Sequence, residues 1–470
     1  MKRVILSGMA AALMAGTAMA APEPKAGQRP DQQAFFALYK ELVETNTTLS
    51  EGSCTLAAER MAARLKAAGF ADEAITLFAT PEHPKDGGLV AVLPGSDKAA
   101  KPILLLAHID VVEAKRADWV RDPFTLIEEG DYYYARGAAD DKAMAATFTD
   151  AMVRFRQQGY KPKRTVKLAL TCGEETTYAF NGADWLAKNK PDLIAAEFAL
   201  NEGGGGRLDA AGNVVSQAVQ VGEKAVQNYR IETRNPGGHS SVPVRDNAIY
   251  QLADALVKVR EHEFPVHLNP TTANYFATQG KKIGGEMGGA MARIAADPKD
   301  AAADAIVSRD RGYHSMLRTT CVATLLDGGH ANNALPQRAG ANINCRIAPG
   351  ETVEQTAQAL RTAIADPGVT LTVTAPIRPP AVTPPLDDKV LGPMQTLAKS
   401  YFPGLTITPT MSTGGTDAIF LAAIGIPVYG VPGFAGTAND GVHGLNERIN
   451  IKALYRGRDY LFDLIKAYAG

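Results

Sequence analysis

Hydrophobic residues in the first half of the chain follow two spacings. Mostly apolar segments of strand length occur at residues 88–93, 103–107, 165–171 and 198–200. Apolar residues at helical spacing lie between or before these runs, at residues 32–43, 54–68, 142–158 and 183–188. Strands that alternate with helices in this way are typical of a mostly parallel sheet covered by helices. The pattern therefore predicts an α/β fold.

The order of elements changes after Gly222. Strands are predicted at residues 227–233, 320–326, 341–347 and 369–374, with helices at residues 249–259 and 353–365. If the long alanine- and glycine-rich region 265–315 is left out, this is the ferredoxin-like order βαββαβ. Helix–strand alternation returns after the proline-rich segment 375–385. We therefore expect a catalytic domain in two parts, residues 21–222 and 377–470, with a second, α+β domain inserted at 223–376.

The first residues of the chain are typical of a bacterial secretory signal peptide. Lys2 and Arg3 precede a short apolar segment that ends in Ala18-Met19-Ala20. This arrangement predicts a signal peptide over residues 1–20 with cleavage after Ala20, and hence a secreted or periplasmic protein. We expect no membrane anchoring after its removal, because no later segment is long and apolar enough to span a bilayer.

Composition narrows the range of partners. The chain has 470 residues, of which 46% are hydrophobic and 21% charged, and its formal net charge is −1. Such a balance gives no reason to expect nucleic acid or an anionic membrane as a partner. The four cysteines form no CxxC motif, which argues against a cysteine-bound zinc ion. Export permits a disulfide, and Cys321 and Cys345 lie on neighbouring predicted strands.

Acidic residues and histidines follow the predicted strands. His108 and Asp110 lie at the end of the 103–107 strand, two positions apart and so on the same side of it. Similar residues follow other strands or precede a helix, namely Asp140, Glu174, Glu175, Glu202 and His443. Because the carboxyl ends of parallel strands form one rim, these groups are expected to converge there. Each motif alone also fits a structural role, such as a solvated turn or a charged loop.

This set of residues suits a divalent metal. Imidazole and carboxylate ligands without thiolates favour zinc, with cobalt or manganese as alternatives. So many carboxylates would repel one another without cations, which favours two ions that share one bridging carboxylate. Glu174 and Glu175 must diverge if the local backbone is extended, so one can bind a metal while the other accepts a proton. Asp110 is better placed to hold His108 by its other ring nitrogen.

Seven motifs, taken together, closely resemble those of the M20 metallopeptidases, the family of carboxypeptidase G2, carboxypeptidase S and N-acyl-amino-acid hydrolases. They are AHID, RGAADDK, TCGEET, NEGG, NPGGHSSVP, NALP and GVHGLNE, and they span almost all of the mature chain. The resemblance implies a zinc-exopeptidase-like catalytic domain and a ferredoxin-like lid domain, which is the inserted domain at 223–376.

The resemblance also implies roles for individual residues. Asp140 would bridge two zinc ions, of which one is completed by His108 and Glu202 and the other by Glu175 and His443. Glu174 would be the general base and Asp110 the orienting residue. In the lid, His239 would stabilise the oxyanion, although a turn histidine in a glycine-rich loop is the alternative. Substrate contacts would come from Asn333, Arg346, Gly415 and Thr416, although Arg346 also fits a solvated charge at a sheet edge.

The function expected from these residues is that of a secreted di-zinc hydrolase. It would cleave an amide or peptide bond next to a free carboxylate, as a carboxypeptidase or dipeptidase acting on a small peptide. Removal of the acyl group from an N-acyl amino acid is the alternative reaction, and a non-catalytic binding protein of the same fold is a third reading. The resemblance suggests a homodimer through the lid domain. The region 265–315 is longer than in family members with compact lid domains, however, and this leaves the oligomeric state open.

Overall fold

The computed structural model describes residue 27 and residues 29–176 and 180–470. The expected signal peptide over residues 1–20 lies outside these described residues. Within them, every helix is too short or too polar to cross a membrane.

The described residues form strands and helices throughout the chain. The strands are β1 (Ile75–Thr80), β2 (His83–Leu93), β3 (Ile103–His108), β4 (Ile127–Glu129), β5 (Tyr132–Tyr134), β6 (Val166–Thr171), β7 (Phe198–Asn201), β8 (Gly205–Leu208), β9 (Val214–Gln220), β10 (Ala225–Arg234), β11 (Gly238–His239), β12 (Thr320–Gly328), β13 (Ala334–Leu335), β14 (Arg338–Ile347), β15 (Val369–Val373), β16 (Ile407–Thr410), β17 (Val428–Gly430), β18 (Ala435–Gly436) and β19 (Arg448–Asn450). The helices are α1 (Pro30–Val43), α2 (Cys54–Ala67), α3 (Lys142–Gln157), α4 (Gly182–Asn189), α5 (Pro191–Ile194), α6 (Ala248–Glu261), α7 (Pro270–Ile283), α8 (Gly285–Ala296), α9 (Ala301–Val307), α10 (Arg311–Leu317), α11 (Val353–Ile364), α12 (Asp388–Tyr401), α13 (Ala418–Ala423) and α14 (Ile451–Ala469).

The larger sheet has ten strands, in the order β1-β2-β6-β3-β7-β17-β9-β8-β18 with β16 paired to β9. Its central strands β6, β3, β7 and β17 are parallel, whereas β2 and β9 flank them in antiparallel pairs. Strands β3 and β6 are buried along their whole length, as is expected for strands covered on both faces. Leu105 packs into the core on one face, and Leu104 and Leu106 pack into the core on the other. The α/β fold predicted from the sequence is confirmed.

A second sheet has four antiparallel strands in the order β12-β14-β10-β15. Helices α6 and α11 pack on one of its faces, so the elements follow the ferredoxin-like order that the sequence predicts. The register pairs Cys321 of β12 with Cys345 of β14, and these cysteines form a disulfide. Arg346 lies on β14, an inner strand, and is therefore not at a sheet edge.

The extra segment forms four helices, α7 to α10. Their apolar faces make a small separate core that includes Phe276, Met291 and Leu317. The sequence predicted no element here, because alanine and glycine blur the contrast between the apolar and polar faces of a helix. The segment is thus a small helical unit, and its helix α7 packs against β16 of the larger sheet.

A second disulfide joins Cys54, at the start of α2, to Cys172, which follows β6. This pairing was not predicted from the sequence, in which the two cysteines are separated by 118 positions. The bond ties the segment that carries Glu174 to the helical layer of the main sheet.

Candidate metal and catalytic site

His108 is the last residue of β3, and its ring is buried. Its Nε2 lies 3.2 Å from Oδ1 of Asp140 and 3.6 Å from Oε1 of Glu202. Asp140 stands just before α3, and Glu202 directly follows β7. The ends of two neighbouring parallel strands and one loop thus bring these three side chains together.

Asp140 lies between two imidazoles. Its Oδ1 faces His108, and its Oδ2 is 3.1 Å from Nε2 of His443. The same nitrogen of His443 is 2.9 Å from Oε1 of Glu175. His443 lies in the segment between β18 and β19 rather than directly at a strand end, and its backbone has a φ of 59°, which is uncommon outside glycine. Asp140 is therefore shared by two groups of side chains, one on each of its oxygens.

Asp110 holds two parts of the site at once. Its Oδ1 is 3.5 Å from Nδ1 of His108, and that nitrogen is 3.1 Å from the backbone oxygen of Asp110. The two carboxylate oxygens also accept the backbone N–H groups of Glu174, at 3.3 Å, and Glu175, at 3.0 Å. Asp110 thus orients His108 and fixes the turn that carries both glutamates.

Glu447 supports the loop that carries Asp140. The buried carboxylate accepts the backbone N–H groups of Gly137, Ala139 and Asp140 and pairs with Arg136 at 2.7 Å. It stands within the GVHGLNE motif, but sequence reasoning assigned it no role. Its position shows that this motif contributes His443 to the site and also holds the loop before α3.

The carboxyl groups of this region lie close to one another and have few positive charges around them. Burial raises the pKa of Glu202 well above its ordinary value, and nearby carboxylates such as Asp140 add to the effect while His108 opposes it. Burial likewise raises the pKa of Glu174, with opposition from His108 and additional increases from Asp417 and Glu175. A cation bound among these carboxylate oxygens would favour their charged form. It would thereby offset much of the free-energy cost of burying that charge.

The side chains fit two metal ions by their chemistry and spacing. One atom each from His108, Asp140 and Glu202 lies within 4.8 Å of the others, and the same holds for Asp140, Glu175 and His443. Imidazole nitrogens and carboxylate oxygens are the donors that zinc and similar divalent ions use. Glu174 also groups with His108 and Glu175, so it stands next to the ligands.

A cavity of about 290 Å³ opens beside these residues. It is lined by Glu174, Glu175 and His443 and, on other parts of its wall, by Lys224, Arg346, Arg378, Gly415 and Thr416. Three of the predicted site residues, Arg346, Gly415 and Thr416, therefore share a cavity with the carboxylates. Sequence reasoning did not identify Lys224 or Arg378, because a single cation next to a strand has no motif around it.

The loop at Thr416 is held by buried acids. The Thr416 hydroxyl donates to Glu223 at 2.8 Å and accepts from Asn201 at 3.1 Å. The neighbouring Asp417 accepts hydrogen bonds from Thr171 and Asn181. The hydroxyl of Thr416 is therefore engaged within the protein, and its backbone oxygen also accepts the N–H of Ile419 at 3.4 Å.

Two predicted residues lie elsewhere. His239 is exposed on β11, where its Nδ1 faces the Ser241 hydroxyl at 2.7 Å. Asn333, also exposed, accepts the backbone N–H of Ser240 through its own backbone oxygen. Among the residues that the structure describes, neither side chain contacts the metal-binding candidates, and neither lines the cavity.

The sequence and fold were compared with those of known proteins. Residues 104–467 match the profile of peptidase family M20/M25/M40. The chain belongs to this family. A human relative, the N-fatty-acyl-amino acid synthase/hydrolase PM20D1, is 28% identical over 401 residues, which cover 83% of this chain and 79% of the relative.

Two solved structures of M20 proteins share the fold. The metallo-carboxypeptidase Sso-CP2 of Sulfolobus solfataricus has a TM-score of 0.72 at 19% identity and covers 93% of this chain and 99% of its own. YXEP of Bacillus subtilis is described as a dinuclear metal-binding peptidase and has a TM-score of 0.59 at 13% identity. The match covers 93% of this chain and 98% of YXEP.

Membership of the M20 family confirms the resemblance drawn from the seven motifs. The chain is a metal-dependent hydrolase of the metallopeptidase type, as the sequence predicted.

Proposed function

We propose that this M20 protein is a two-metal hydrolase that cleaves an amide or peptide bond next to a free carboxylate. The observation that carries the proposal is the position of Asp140, whose two oxygens face His108 and His443 separately. A carboxylate shared in this way suits a bridging ligand between two ions. His108 and Glu202 would complete one site, and Glu175 and His443 the other.

Zinc is the metal we propose, with cobalt or manganese as alternatives. When bound, two such ions would polarise the carbonyl of the substrate and lower the pKa of a water molecule between them. Asp110 and Glu447 would keep the ligands in place through their contacts with His108 and with the Asp140 loop.

Glu174 would act as the general base. Its carboxylate lines the cavity and groups with His108 and Glu175, so it stands where a carboxylate could take up and return a proton. Glu174 would accept the proton of the attacking water and later deliver it to the amine that leaves.

Arg346 would bind the free carboxylate of the substrate. It is half-buried in the same cavity as Glu174, and its guanidinium has the fork geometry that binds carboxylates. Gly415 and Thr416, which line the cavity, would lie near the same end of the substrate. At Gly415, an added Cβ would meet the backbone oxygen of Lys224 at 3.2 Å, so a side chain would narrow the cavity.

Two substrate classes remain candidates. The motifs favour a carboxypeptidase or dipeptidase that acts on small peptides. The Sulfolobus protein that shares the fold is also named a metallo-carboxypeptidase. Hydrolysis of N-acyl amino acids is favoured by the human relative, whose name specifies N-fatty-acyl amino acids. Both reactions release an amino acid with a free carboxylate, so both need the same groups around Arg346.

The lid residues lead us to propose a homodimer. His239 and Asn333 are exposed and lie outside the cavity of their own chain, so they would reach a substrate only in another arrangement, such as across a dimer through the lid domain. We also propose export as a secreted or periplasmic protein, in keeping with the first residues of the sequence and with two disulfides.

The substitution Glu174→Gln tests the catalytic role. The variant should bind as much metal as the wild type but lose activity by at least about a hundredfold, because it keeps the shape of the side chain without its basicity. Glu73→Gln, an exposed glutamate, is the matched control. Hydrolysis of dipeptides and N-acyl amino acids would be measured after chelation and reloading with zinc, cobalt or manganese.

The rates of hydrolysis of the two substrate sets, dipeptides and N-acyl amino acids, distinguish a peptidase from a deacylase. If wild type and Glu174→Gln were equally inert on both panels while holding metal, the protein would be a binding protein of this fold and not a hydrolase.

A further inference from the structure

The cavity that holds Glu174 and Glu175 also has a strip of positive charge that extends away from them. Lys224 directly precedes β10, and Arg346 lies on the adjacent strand β14, where it pairs with Val226. Residues two apart in an extended strand face the same side. Lys224, Val226 and Arg346 thus lie on one side of the sheet, and all three line the cavity.

Lys224 is fully buried and has weak partners. Its ammonium is 3.4 Å from the hydroxyl of Ser315 and 3.4 Å from that of Thr320. Within the described chain, no carboxylate lies within ion-pair distance of Lys224 or Arg346. Glu351 acts on Lys224 electrostatically, but it is bound by Thr319 and lies 3.6 Å from His267.

A buried ammonium without a counter-ion is unfavourable. Burial lowers the pKa of Lys224 to about 7; Glu351 opposes this change, while Arg346 and Arg318 add to it. An anion placed beside Lys224 would relieve this cost, and the cavity gives it access. The two hydroxyls can orient the ammonium but cannot neutralise it.

The two cations differ in their distance from the proposed chemistry. Arg346 interacts electrostatically with Glu174, whereas Lys224 interacts with Arg346, Arg318 and Glu351 rather than with the proposed catalytic carboxylates. The α-carboxylate of a leaving amino acid is one carbon from the amide nitrogen and would therefore bind Arg346. A second anion, farther along the leaving group, would be needed at Lys224.

We propose that Lys224 is a specificity residue that favours substrates whose leaving amino acid has a carboxylate side chain, glutamate or aspartate. This inference rests on the proposed amide hydrolysis and names the substrate class of that same site. Ser315 belongs to α10, so the extra segment would help to position the ammonium of Lys224 through this contact. The segment thereby gains a role that its alanine- and glycine-rich sequence did not suggest.

Glutamate and glutamine provide the test, because they have nearly the same shape and differ in charge. Hydrolysis of N-acyl-glutamate and N-acyl-glutamine would be compared with acetyl and dodecanoyl as acyl groups. The wild type should prefer glutamate by about tenfold or more in kcat/KM, as a hydrogen bond to a charged group implies. Calorimetry should show the same preference for free glutamate over free glutamine.

Lys224→Met removes the charge and keeps the length of the side chain. It should bring the glutamate-to-glutamine ratio of kcat/KM close to one, because glutamate derivatives lose more activity than glutamine derivatives. Lys281→Met, an exposed lysine on α7, should retain the wild-type ratio. If Lys224→Met does not fold, the wild-type ratios in hydrolysis and in binding still decide.

Two results would overturn the proposal. The first is a wild type that shows no preference for glutamate in either measurement. The second is a Lys224→Met variant that loses both substrates by the same factor, because Lys224 would then serve the α-carboxylate or the fold. Cleavage of glutamine derivatives without a glutamate preference would refute this inference alone, whereas selective glutamate binding without hydrolysis would refute only the proposed function.

Discussion

Glu447 accepts the backbone N–H of Asp140 at 3.0 Å. A residue from the last part of the chain thus holds Asp140, the proposed bridging residue of the metal site. The same carboxylate forms a buried ion pair with Arg136. One side chain therefore positions the loop before α3 and neutralises a buried guanidinium. Its removal should affect both metal binding and stability.

We expect Glu447→Gln to lower the free energy of unfolding by about 3 kcal/mol, because Arg136 would remain buried without its partner. Metal affinity should fall as well, since the Asp140 loop would lose part of its support. Thermal unfolding and metal titration would measure the two effects. Glu129→Gln is the control, because its ion pair with Arg121 is exposed at the glutamate and should cost less than about 1 kcal/mol. An unchanged melting temperature and unchanged metal affinity in Glu447→Gln would contradict the expectation.

His108 and Asp110 should respond differently to removal. His108→Ala takes away a proposed ligand, so the protein should lose one of two metal equivalents. Asp110→Ala should reduce activity while retaining part of the metal, because Asp110 acts through His108 and through the backbone of Glu174 and Glu175. Metal content by mass spectrometry and activity would be measured on the same samples. Equal and complete loss of metal in both variants would show that the two roles are wrongly divided.

Much of the main sheet could be predicted, because its central strands are buried on both faces and appear as mostly apolar segments. The strands β1, β8 and β9 were not predicted. β8 begins with two glycines, and β9 mixes polar with apolar residues. The helices α7 to α10 were not predicted either, since alanine and glycine on both faces hide the periodicity of a helix.

The candidate ligands were accessible from sequence because each follows a strand or precedes a helix and has a distinctive motif. Glu447 and Lys224 were not, since their importance depends on contacts with residues far along the chain, at Asp140 and Ser315. The exposure of His239 and Asn333 was also beyond sequence, because the relative position of the lid is set by tertiary packing. Motifs point to the candidate ligands, whereas the residues that support them are recognised from their contacts in the fold.

The carboxyl of Glu223 should give stability a dependence on pH. Burial raises its pKa from 4.5 to about 8, although hydrogen bonds from Thr416 oppose the change. The folded protein then keeps a proton that the unfolded chain releases, so this contribution to the free energy of unfolding is lost as pH rises from about 4.5 through 8. Glu223→Gln is neutral at every pH and should not show this loss.

At pH 5 the Glu223→Gln variant and the wild type should therefore have similar melting temperatures. At pH 9 the variant should be more stable by about 4 kcal/mol. Calorimetric unfolding at both pH values would measure the difference, with Glu73→Gln as an exposed control. Parallel pH curves for variant and wild type would mean that Glu223 is ionised throughout this range.

The edge strand β12 is the surface through which we expect two copies to associate. Its side chains Val322, Leu325 and Leu326 are 59%, 68% and 70% exposed, and an edge strand also presents unpaired backbone groups. Apolar residues at an exposed edge are unfavourable in a monomer, so they indicate a protein contact. The wild type should accordingly be a dimer at micromolar concentration. Leu325→Lys should shift it to a monomer in sedimentation or light-scattering measurements, whereas Leu49→Lys, at an exposed position between α1 and α2, should not.

If His239 acts across this dimer, His239→Ala and Leu325→Lys should both lower activity while the metal content stays the same. A fully active monomer would exclude that role for His239.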